Sequence, residues 1–371
     1  MINSTEHNYR RLISPSPFTQ SYVIFSVPGY PEYGYVNSLT QSTNVGAPTG
    51  YVGSDVIGSS RLVKASNGYI YAYGLSFSSS GYADSLVAYR SINNGVTFTG
   101  MSKILTGLAT GVDTNPCVSV AYNGTTYSMV INRASYSNVL SSSDAVNWVL
   151  SASYSATTIV KALWVPEKSM FYYPTTSSTW YTSTNGSSLS ILAQDASNNA
   201  YLSDLIYCKG FNKFVKSTTN GTSFKESMYM SSDCINWSAV PGVVQHWGGI
   251  QSLAYSPELN KVYGAAVNNS SGAGTSQDIL TNLSESIYIN TIDTTEKRSV
   301  AWLTKSQAFV ITRGTESSGT PHKDLWFSKD GINWSVIYNA YPAYSGAGLP
   351  SGWNSFNISA GTSAQNNILE I

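Results

Sequence analysis

Carboxylates are the residues of this sequence best suited to breaking bonds. Two carboxyl groups that face each other across a cleft can hydrolyse a glycosidic bond, one acting as acid and the other as base or nucleophile. Four acidic residues fall in segments that the sequence predicts to be loops, namely Asp84, Glu226, Asp278 and Glu316. No recognisable signature flanks them, so residue type alone makes them candidates.

Other reactive side chains are few and scattered. The three histidines, at positions 7, 246 and 322, are too few and too far apart to predict a metal cluster. The three cysteines are an odd number without a C-x-x-C pair, which favours buried free thiols over a disulfide framework or a zinc site. No nucleophile-elbow, P-loop or dinucleotide-binding pattern follows a predicted strand. We therefore expect no cofactor, no metal and no catalytic residue, and hence a protein that is not an enzyme.

Composition excludes several classes of protein. The 371 residues include 20 Lys and Arg against 20 Asp and Glu, so there is no excess positive charge for nucleic acid. Charged residues make up 11% of the chain, while serine occurs 61 times and tyrosine 27 times. No stretch has the pattern of a signal peptide or the length of a membrane span. We expect a folded protein without a secretion signal, kept in solution by hydroxyl and amide groups.

The strongest signal is a repeated segment that ends in tryptophan. It reads SKDGINW at 328–334, SSDCINW at 231–237 and SSDAVNW at 142–148. Weaker copies occupy 91–98 and 183–189, and a degraded copy ends at position 287. The hydrophobic residues that close the six copies, at 98, 148, 189, 237, 287 and 334, are 50, 41, 48, 50 and 47 residues apart. A period of this length is typical of β-propeller blades and of helical-pair repeats.

Strand chemistry decides between these two architectures. Each repeat opens with two short segments rich in Val, Ile, Leu and aromatic residues, for example 118–122 and 126–131, joined by a polar turn. A third segment leads into the Ser-x-Asp turn and a fourth follows the tryptophan, whereas no 3.6-residue period persists over the length of a helix. The sequence therefore predicts an all-β protein, a six-bladed β-propeller of four-stranded antiparallel blades over residues 59–340.

The ends of the chain must close the ring. We predict that residues 1–58 are an N-terminal closure or attachment segment and that residues 341–371 are a C-terminal closure segment. Both ends contain segments that can supply a strand, among them 21–27 and 368–371. Head and tail could complete a shared blade or form a blade of their own, so a seven-bladed ring is the alternative.

The aspartate of the repeat has a mechanical meaning. A carboxylate in a tight turn accepts hydrogen bonds from the backbone N–H groups that follow it, and an asparagine can do the same without charge. We expect the tryptophan to pack under its own strand pair and so to fasten the turn to its blade. The residues assigned to this structural role are Asn94, Phe98, Asp144, Trp148, Asn185, Asp233, Trp237, Asp330 and Trp334.

This segment resembles the Asp-box, or BNR, repeat of sialidase-like propellers, in a variant that is one residue shorter before the tryptophan. The resemblance implies a propeller fold. In sialidases it further implies three arginines, a tyrosine nucleophile paired with a glutamate, and an acidic aspartate. Arg61 lies where the first arginine is expected, but the proline of that motif is missing, and Arg298 and Arg313 match no motif. Sialidase chemistry is therefore not expected.

The predicted loops at one end of the ring favour recognition. They are long and rich in Ser, Gly, Asn, Tyr and Trp, and such aromatic faces and small polar groups suit the C–H faces and hydroxyls of sugars. An aromatic residue in such a loop can also simply cover its own blade. The candidate ligand-binding residues are Tyr82, Arg133, Tyr136, Trp180, His246, Trp247, Arg313, Tyr344 and Trp353.

Low charge and heavy use of Ser, Thr, Asn, Gly and Tyr also resemble the style of phage tail and fibre proteins. We therefore expect a non-enzymatic component of a virus particle, made in the host cytoplasm, that binds a host surface glycan or receptor. Other virion proteins are expected to bind through residues 1–58, and neither nucleic acid nor membrane insertion is expected. The alternatives are a glycoside hydrolase or depolymerase on a sialidase-like scaffold, and a protein-binding scaffold.

Overall fold

The computed structural model of the chain describes most of the strands and turns. The described residues are 23–26, 33–36, 45–46, 57–77, 83–93, 99–100, 105–106, 117–133, 136–155, 157–193, 202–218, 225–226, 228–245, 249–266, 277–289, 298–313, 325–337 and 368–370. Within these ranges the single helical element is a 3-10 turn at Pro166–Lys168. No helix in them is long and apolar enough to cross a membrane.

Three short antiparallel strands come first and pair in the order β3-β2-β1. They are β1 (Val23–Ser26), β2 (Tyr33–Val36) and β3 (Val45–Gly46). Their only other hydrogen-bonded neighbour among the described strands comes from the far end of the chain, so they take part in closing the ring.

Six four-stranded antiparallel blades follow, one for each sequence repeat, and one parallel pair, Ser59 with Cys117, joins the first two into a single nine-stranded sheet. Blade 1 contains β4 (Ile57–Lys64), β5 (Ile70–Phe77), β6 (Ala83–Ser91) and an outer strand in two pieces, β7 (Thr99–Gly100) and β8 (Leu105–Thr106). Blade 2 contains β9 (Cys117–Tyr122), β10 (Tyr127–Arg133), β11 (Tyr136–Ser142) and β12 (Val149–Ser155). Blade 3 contains β13 (Leu163–Val165), β14 (Met170–Tyr173), β15 (Thr179–Ser183) and β16 (Ser190–Ala193).

The second half of the ring repeats this plan. Blade 4 contains β17 (Leu202–Cys208), β18 (Lys213–Thr218), β20 (Met228–Ser231) and β21 (Ser238–Ala239), with a separate pair formed by β19 (Lys225–Glu226) and β22 (Val244–Gln245). Blade 5 contains β23 (Ile250–Ser256), β24 (Lys261–Ala266), β25 (Asp278–Thr281) and β26 (Ser286–Ile289). Blade 6 contains β27 (Arg298–Leu303), β28 (Ala308–Arg313), β29 (Leu325–Ser328) and β30 (Ser335–Ile337). The prediction of an all-β propeller with six repeat-built, four-stranded antiparallel blades is confirmed.

The last strand, β31 (Ile368–Glu370), pairs with β1. It lies beside β27 of blade 6 and β4 of blade 1, so the resulting sheet fills the gap between the last repeat and the first. Head and tail thus meet in one further four-stranded sheet, the arrangement given above as the alternative for ring closure.

The two ends of the ring differ because every blade is connected in the same way. Second strands lead to third strands, and outer strands lead to the next blade, at what we call the loop end. The Ser-x-Asp turns between third and outer strands lie at the opposite end, which we call the turn end. The core lies between blades, as in the cluster of Val130, Val139, Ile159, Phe171 and Tyr173 between blades 2 and 3.

Candidate functional site

The aspartates of the turn end accept hydrogen bonds from groups within their own turns. In each turn, one carboxylate oxygen of Asp144, Asp233 or Asp330 accepts the backbone N–H groups two and three residues later, at 2.8 to 2.9 Å. The other oxygen accepts the side-chain N–H of the asparagine three residues later, at 2.7 Å. Asn185 makes the same pair of backbone contacts with its amide oxygen, at 2.9 and 3.0 Å.

These contacts stabilise the charged form of each carboxyl group. Burial by itself raises the pKa of Asp144, but the backbone and side-chain donors of the turn outweigh it and lower the pKa to about 2. The pKa of Asp330 is lowered in the same way against the effect of burial, and that of Asp233 is lowered foremost by the N–H of Asn236. Because these hydrogen bonds are strong and local, we infer that the aspartates stabilise the conformation of their turns.

The tryptophans of the turns contact the preceding blade as well as their own. Trp148 stands edge-on to Tyr73 of the preceding blade, with ring centroids 5.5 Å apart, and Trp334 stands edge-on to Tyr263 of its preceding blade at 5.1 Å. Trp237 likewise contacts the aromatic ring at position 180 of blade 3, at 5.8 Å. The expectation that each tryptophan packs under its own strand pair covers only part of the contact, because Trp148 and Trp334 share core clusters with their own blade and with the preceding one.

One register of the inner strands joins blade 2 to blade 3 and blade 5 to blade 6. Ser119 of β9 accepts a hydrogen bond from the backbone N–H of Ala162 at 3.1 Å, and Ser252 of β23 accepts one from the N–H of Val300 at 3.3 Å. Both serines are buried. In both cases the hydroxyl accepts from the residue that follows the equivalent position in the next blade, so this register forms hydrogen bonds between neighbouring blades.

The junction between blades 3 and 4 uses charge in place of a hydroxyl. Lys161 occupies the equivalent position of blade 3, and its Nζ donates to Asp204 Oδ1 at 2.6 Å. That oxygen also accepts the N–H of Leu205, and Oδ2 accepts the N–H of Leu253 in blade 5, both at 2.8 Å. The two charged side chains are 4% and 0% exposed. The pair therefore links three blades, and its carboxylate is fully engaged in positioning them.

Sequence reasoning missed this pair, although a signal exists. The inner strands read SVAY at 119–122, SLAY at 252–255 and SVAW at 299–302. Aligning the blades on this pattern puts Lys161 and Asp204 where the other blades have serine. Two opposite charges at adjacent copies of one repeated position predict an ion pair across a blade junction.

The predicted ligand-binding residues meet different outcomes. Trp180 is fully buried and its indole N–H donates to the carbonyl of Thr175 at 3.0 Å, so it is corrected from a ligand contact to a core residue. Tyr136 is 38% exposed at the loop end of β11, directly opposite Arg133 in register. For Arg133 and Arg313 the structure describes only the backbone. The remaining candidates lie outside the described residues, as do two of the residues given a structural role: Tyr82, His246, Trp247, Tyr344 and Trp353, with Asn94 and Phe98.

The predicted carboxylate candidates do not form a described catalytic pair. Asp278 begins β25, is fully buried, and accepts hydrogen bonds from the hydroxyl of Tyr263 (2.7 Å) and the N–H of Ala266 (2.8 Å), so its placement in a loop was wrong. Asp84 and Glu226 lie in strands whose side chains are not described at those positions, and position 316 lies outside the described residues. The described part of the chain contains no cluster of three or more His, Cys, Asp or Glu suited to a metal ion.

Two arginine positions are paired in register at the loop end of blade 6. Arg298 begins the inner strand β27 and Arg313 ends β28, and the two residues are directly opposite in register. Cross-strand neighbours share one face of a sheet, and like charges placed opposite each other are unfavourable without a counter-charge. The sequence favoured Arg313 as a candidate ligand-binding residue but assigned no role to Arg298, because the pairing of the two positions depends on the hairpin register.

Several solved structures share this fold. A protein from Lactobacillus plantarum matches with a TM-score of 0.58 at 9% identity, covering 86% of this chain and 95% of its own. The periplasmic gluconolactonase of Pseudomonas aeruginosa matches with 0.58 at 10% identity, covering 85% and 96%. A proposed 6-phosphogluconolactonase from Bacteroides fragilis matches with 0.56 at 10% identity, covering 88% and 96%. No family model and no curated protein sequence matches the chain.

These comparisons define the protein as a β-propeller of the shape that lactonase-like proteins also have. At 9 to 10% identity the likeness is one of fold. It nevertheless overturns the expectation of a non-enzymatic protein, because two of these three neighbours bear the names of hydrolytic enzymes. That expectation was drawn from missing motifs, and a propeller can build a site from loops that share no local motif.

Proposed function

We propose that the protein is a hydrolase that acts on a sugar-derived substrate at the loop end of the propeller. The substrate class is a sugar derivative that carries a carboxylate or phosphate, in which water opens a lactone, ester or glycosidic bond. The observation that carries this proposal is the pairing of Arg298 with Arg313 at the loop end of the two inner strands of blade 6. Arginine suits carboxylate and phosphate oxygens better than any other side chain.

Two further considerations support the substrate class. The names of the gluconolactonase neighbours concern sugar lactones, which is an argument from fold analogy. The predicted loops are rich in Tyr, Trp, Ser and Asn, which match the C–H faces and hydroxyls of sugars. Neither consideration accounts for a negatively charged group on the substrate. The arginine pair does, because it can bind a carboxylate or phosphate.

The test is a turnover panel on the full chain with matched arginine variants. Glucono-δ-lactone and 6-phosphogluconolactone are followed by proton release, and acidic oligosaccharides by the formation of reducing ends. We expect turnover above the spontaneous rate, and a loss of roughly thirtyfold or more in kcat/KM for Arg298→Ala and Arg313→Ala, because a charged partner is removed. Arg90→Ala is the control, since Arg90 is exposed and stacks over Tyr69 in blade 1. No turnover on any substrate, or full activity in both variants, would overturn the proposal.

A second proposal concerns where such a protein works. Its low charge and its abundance of Ser, Thr, Asn, Gly and Tyr support a component of a virus particle that meets a host surface glycan, with residues 1–58 contacting other virion proteins. Kinship of the Ser-x-Asp turns with Asp-box repeats is proposed on the turn geometry of Asp144, Asp233 and Asp330. Electron microscopy of particles decorated with an antibody against this chain tests the location directly.

A further inference from the structure

One face of blade 2 changes character as it approaches the loop end. Side chains alternate along a strand, so cross-strand partners and every second residue share a face. Toward the turn end this face is apolar, with Met129, Ile131 and Leu140 fully buried in a cluster that includes residues of blade 1. In register beyond them the same face carries Arg133, Tyr136, Asn138, Ser153 and Ser155, which together we call the blade 2 face.

The members of the blade 2 face include an exposed aromatic ring and exposed hydroxyls. Tyr136 is 38% exposed, and Ser153 and Ser155 on the outer strand β12 are exposed as well. Arg133 stands directly opposite Tyr136 in register, so a positive residue belongs to the same edge. An exposed aromatic ring and two exposed hydroxyls thus lie on one side of the sheet where the core ends, and the register places Arg133 at the same edge.

Asn138 adds an unfilled acceptor to this face. Its side chain is buried, and Nδ2 donates to Ser153 Oγ at 2.8 Å. Oδ1 is buried and has no hydrogen-bond partner within the described part of the chain. A buried acceptor without a donor is destabilising, and a ligand or water O–H at this position would satisfy it. Most buried polar groups elsewhere in the blade, such as Ser137, are bonded to the backbone.

We propose that the blade 2 face is a saccharide-binding site, distinct from the arginine pair of blade 6. The ring of Tyr136 provides a surface for the C–H face of a sugar, and the Asn138 amide with the hydroxyls of Ser153 and Ser155 provides partners for sugar hydroxyls. The ligand class rests on the proposed function, because it shares the sugar substrate. The site itself rests on the geometry of blade 2, and it binds a part of the saccharide remote from the bond that is cleaved.

The test uses a printed array of hexose, hexosamine and uronate oligosaccharides, followed by calorimetric titration of the strongest array hit. Tyr136→Ala and Asn138→Leu are the site variants; leucine keeps the buried volume and removes the unfilled acceptor. Tyr69→Ala is the control, because Tyr69 is 36% exposed but lies at the turn end of blade 1. We expect a loss of affinity of about tenfold in both site variants and less than twofold in the control. Thermal unfolding verifies that all three variants fold.

The outcomes separate this inference from the proposed function. Binding that is lost with Tyr136→Ala, without turnover of any substrate, keeps the saccharide site and rejects the hydrolase. Turnover with affinity and KM unchanged in both blade 2 variants keeps the hydrolase and rejects the saccharide site. The absence of binding to every glycan on the array rejects the site as well.

Discussion

The turn end and the inner junction of the propeller use aspartate in opposite ways. At the turn end, Asp144 and Asp233 are exposed and Asp330 is half-buried, and the partners of Asp144 lie within three residues in the sequence. At the inner junction, Asp204 is fully buried, and its partners Lys161 and Leu253 come from the neighbouring blades on either side. The first arrangement shapes a turn, and the second fixes how blades sit against each other.

This difference shows what burial does to a carboxylate. An exposed carboxylate in a turn can be exchanged for an amide, and blade 3 has done so with Asn185. A buried carboxylate must keep its cation, because an unpaired charge in the interior is costly. Yet the serine junctions at Ser119 and Ser252 achieve the same inter-blade contact without charge. The ion pair is therefore a replaceable unit whose halves are not replaceable one at a time.

The largest expected effect on stability comes from replacing one half of the Lys161–Asp204 ion pair. Lys161→Ser and Asp204→Ser each leave a buried charge without its partner, so each should lower the free energy of unfolding by about 3 to 5 kcal/mol. The double variant recreates the serine junction and should lose clearly less than either single variant. Urea unfolding of the four proteins in a double-mutant cycle measures the coupling. Additive losses in the double variant would contradict the equivalence of the two kinds of junction.

The turn end and the inner junction also differ in how well they could be predicted from the sequence. The turn end was predictable, because Ser, Asp and Trp recur at fixed spacing and the partners of Asp330 lie within the repeat. The partner of Trp148 was not, because a local pattern does not reveal that the turn leans on Tyr73 of the preceding blade. The inner junction needs the blades to be aligned with one another, since Lys161 and Asp204 are separated by a whole repeat.

Ring closure and the candidate sites also depend on contacts between segments that are distant in the sequence, which local patterns do not predict. The pairing of β1 with β31 joins residues from opposite ends of the chain, and the sequence could offer it only as an alternative. The loop-end candidates were chosen by residue type. The structure buries Trp180, which packs against the next blade, and leaves Tyr136 exposed. Arg298 and Arg313 became a candidate pair only once the register of β27 and β28 was known.

A smaller effect is expected from a single methyl group at the turn end. Gly331 has a φ of +78°, and a Cβ there would lie 2.9 Å from Leu280 Cδ1 in the preceding blade. Gly331→Ala should lower the free energy of unfolding by about 2 to 3 kcal/mol, from backbone strain and from the clash. Gly68→Ala is the matched control, since Gly68 has a φ of +83° but open space around its Cβ. It should lose only about 1 kcal/mol, and equal losses in urea unfolding would show that the turn does not press on the preceding blade.

The smallest expected effect concerns the charge of the turn aspartates. Its contribution to stability changes only at acidic pH. The pKa values of Asp144, Asp233 and Asp330 are lower in the folded chain than the usual value for aspartate. The folded state therefore binds protons less readily than the unfolded state, and the stability that these carboxylates contribute is complete above about pH 4. It should fall as the pH decreases from about 4 toward 2, where Asp144 itself becomes protonated. In the variant with all three changed to asparagine, which cannot be protonated there, the thermal midpoint should decline less steeply between pH 4 and pH 2 than in the natural chain. Parallel declines would mean that other carboxyl groups dominate acid unfolding and that the turns hold their shape without the charge.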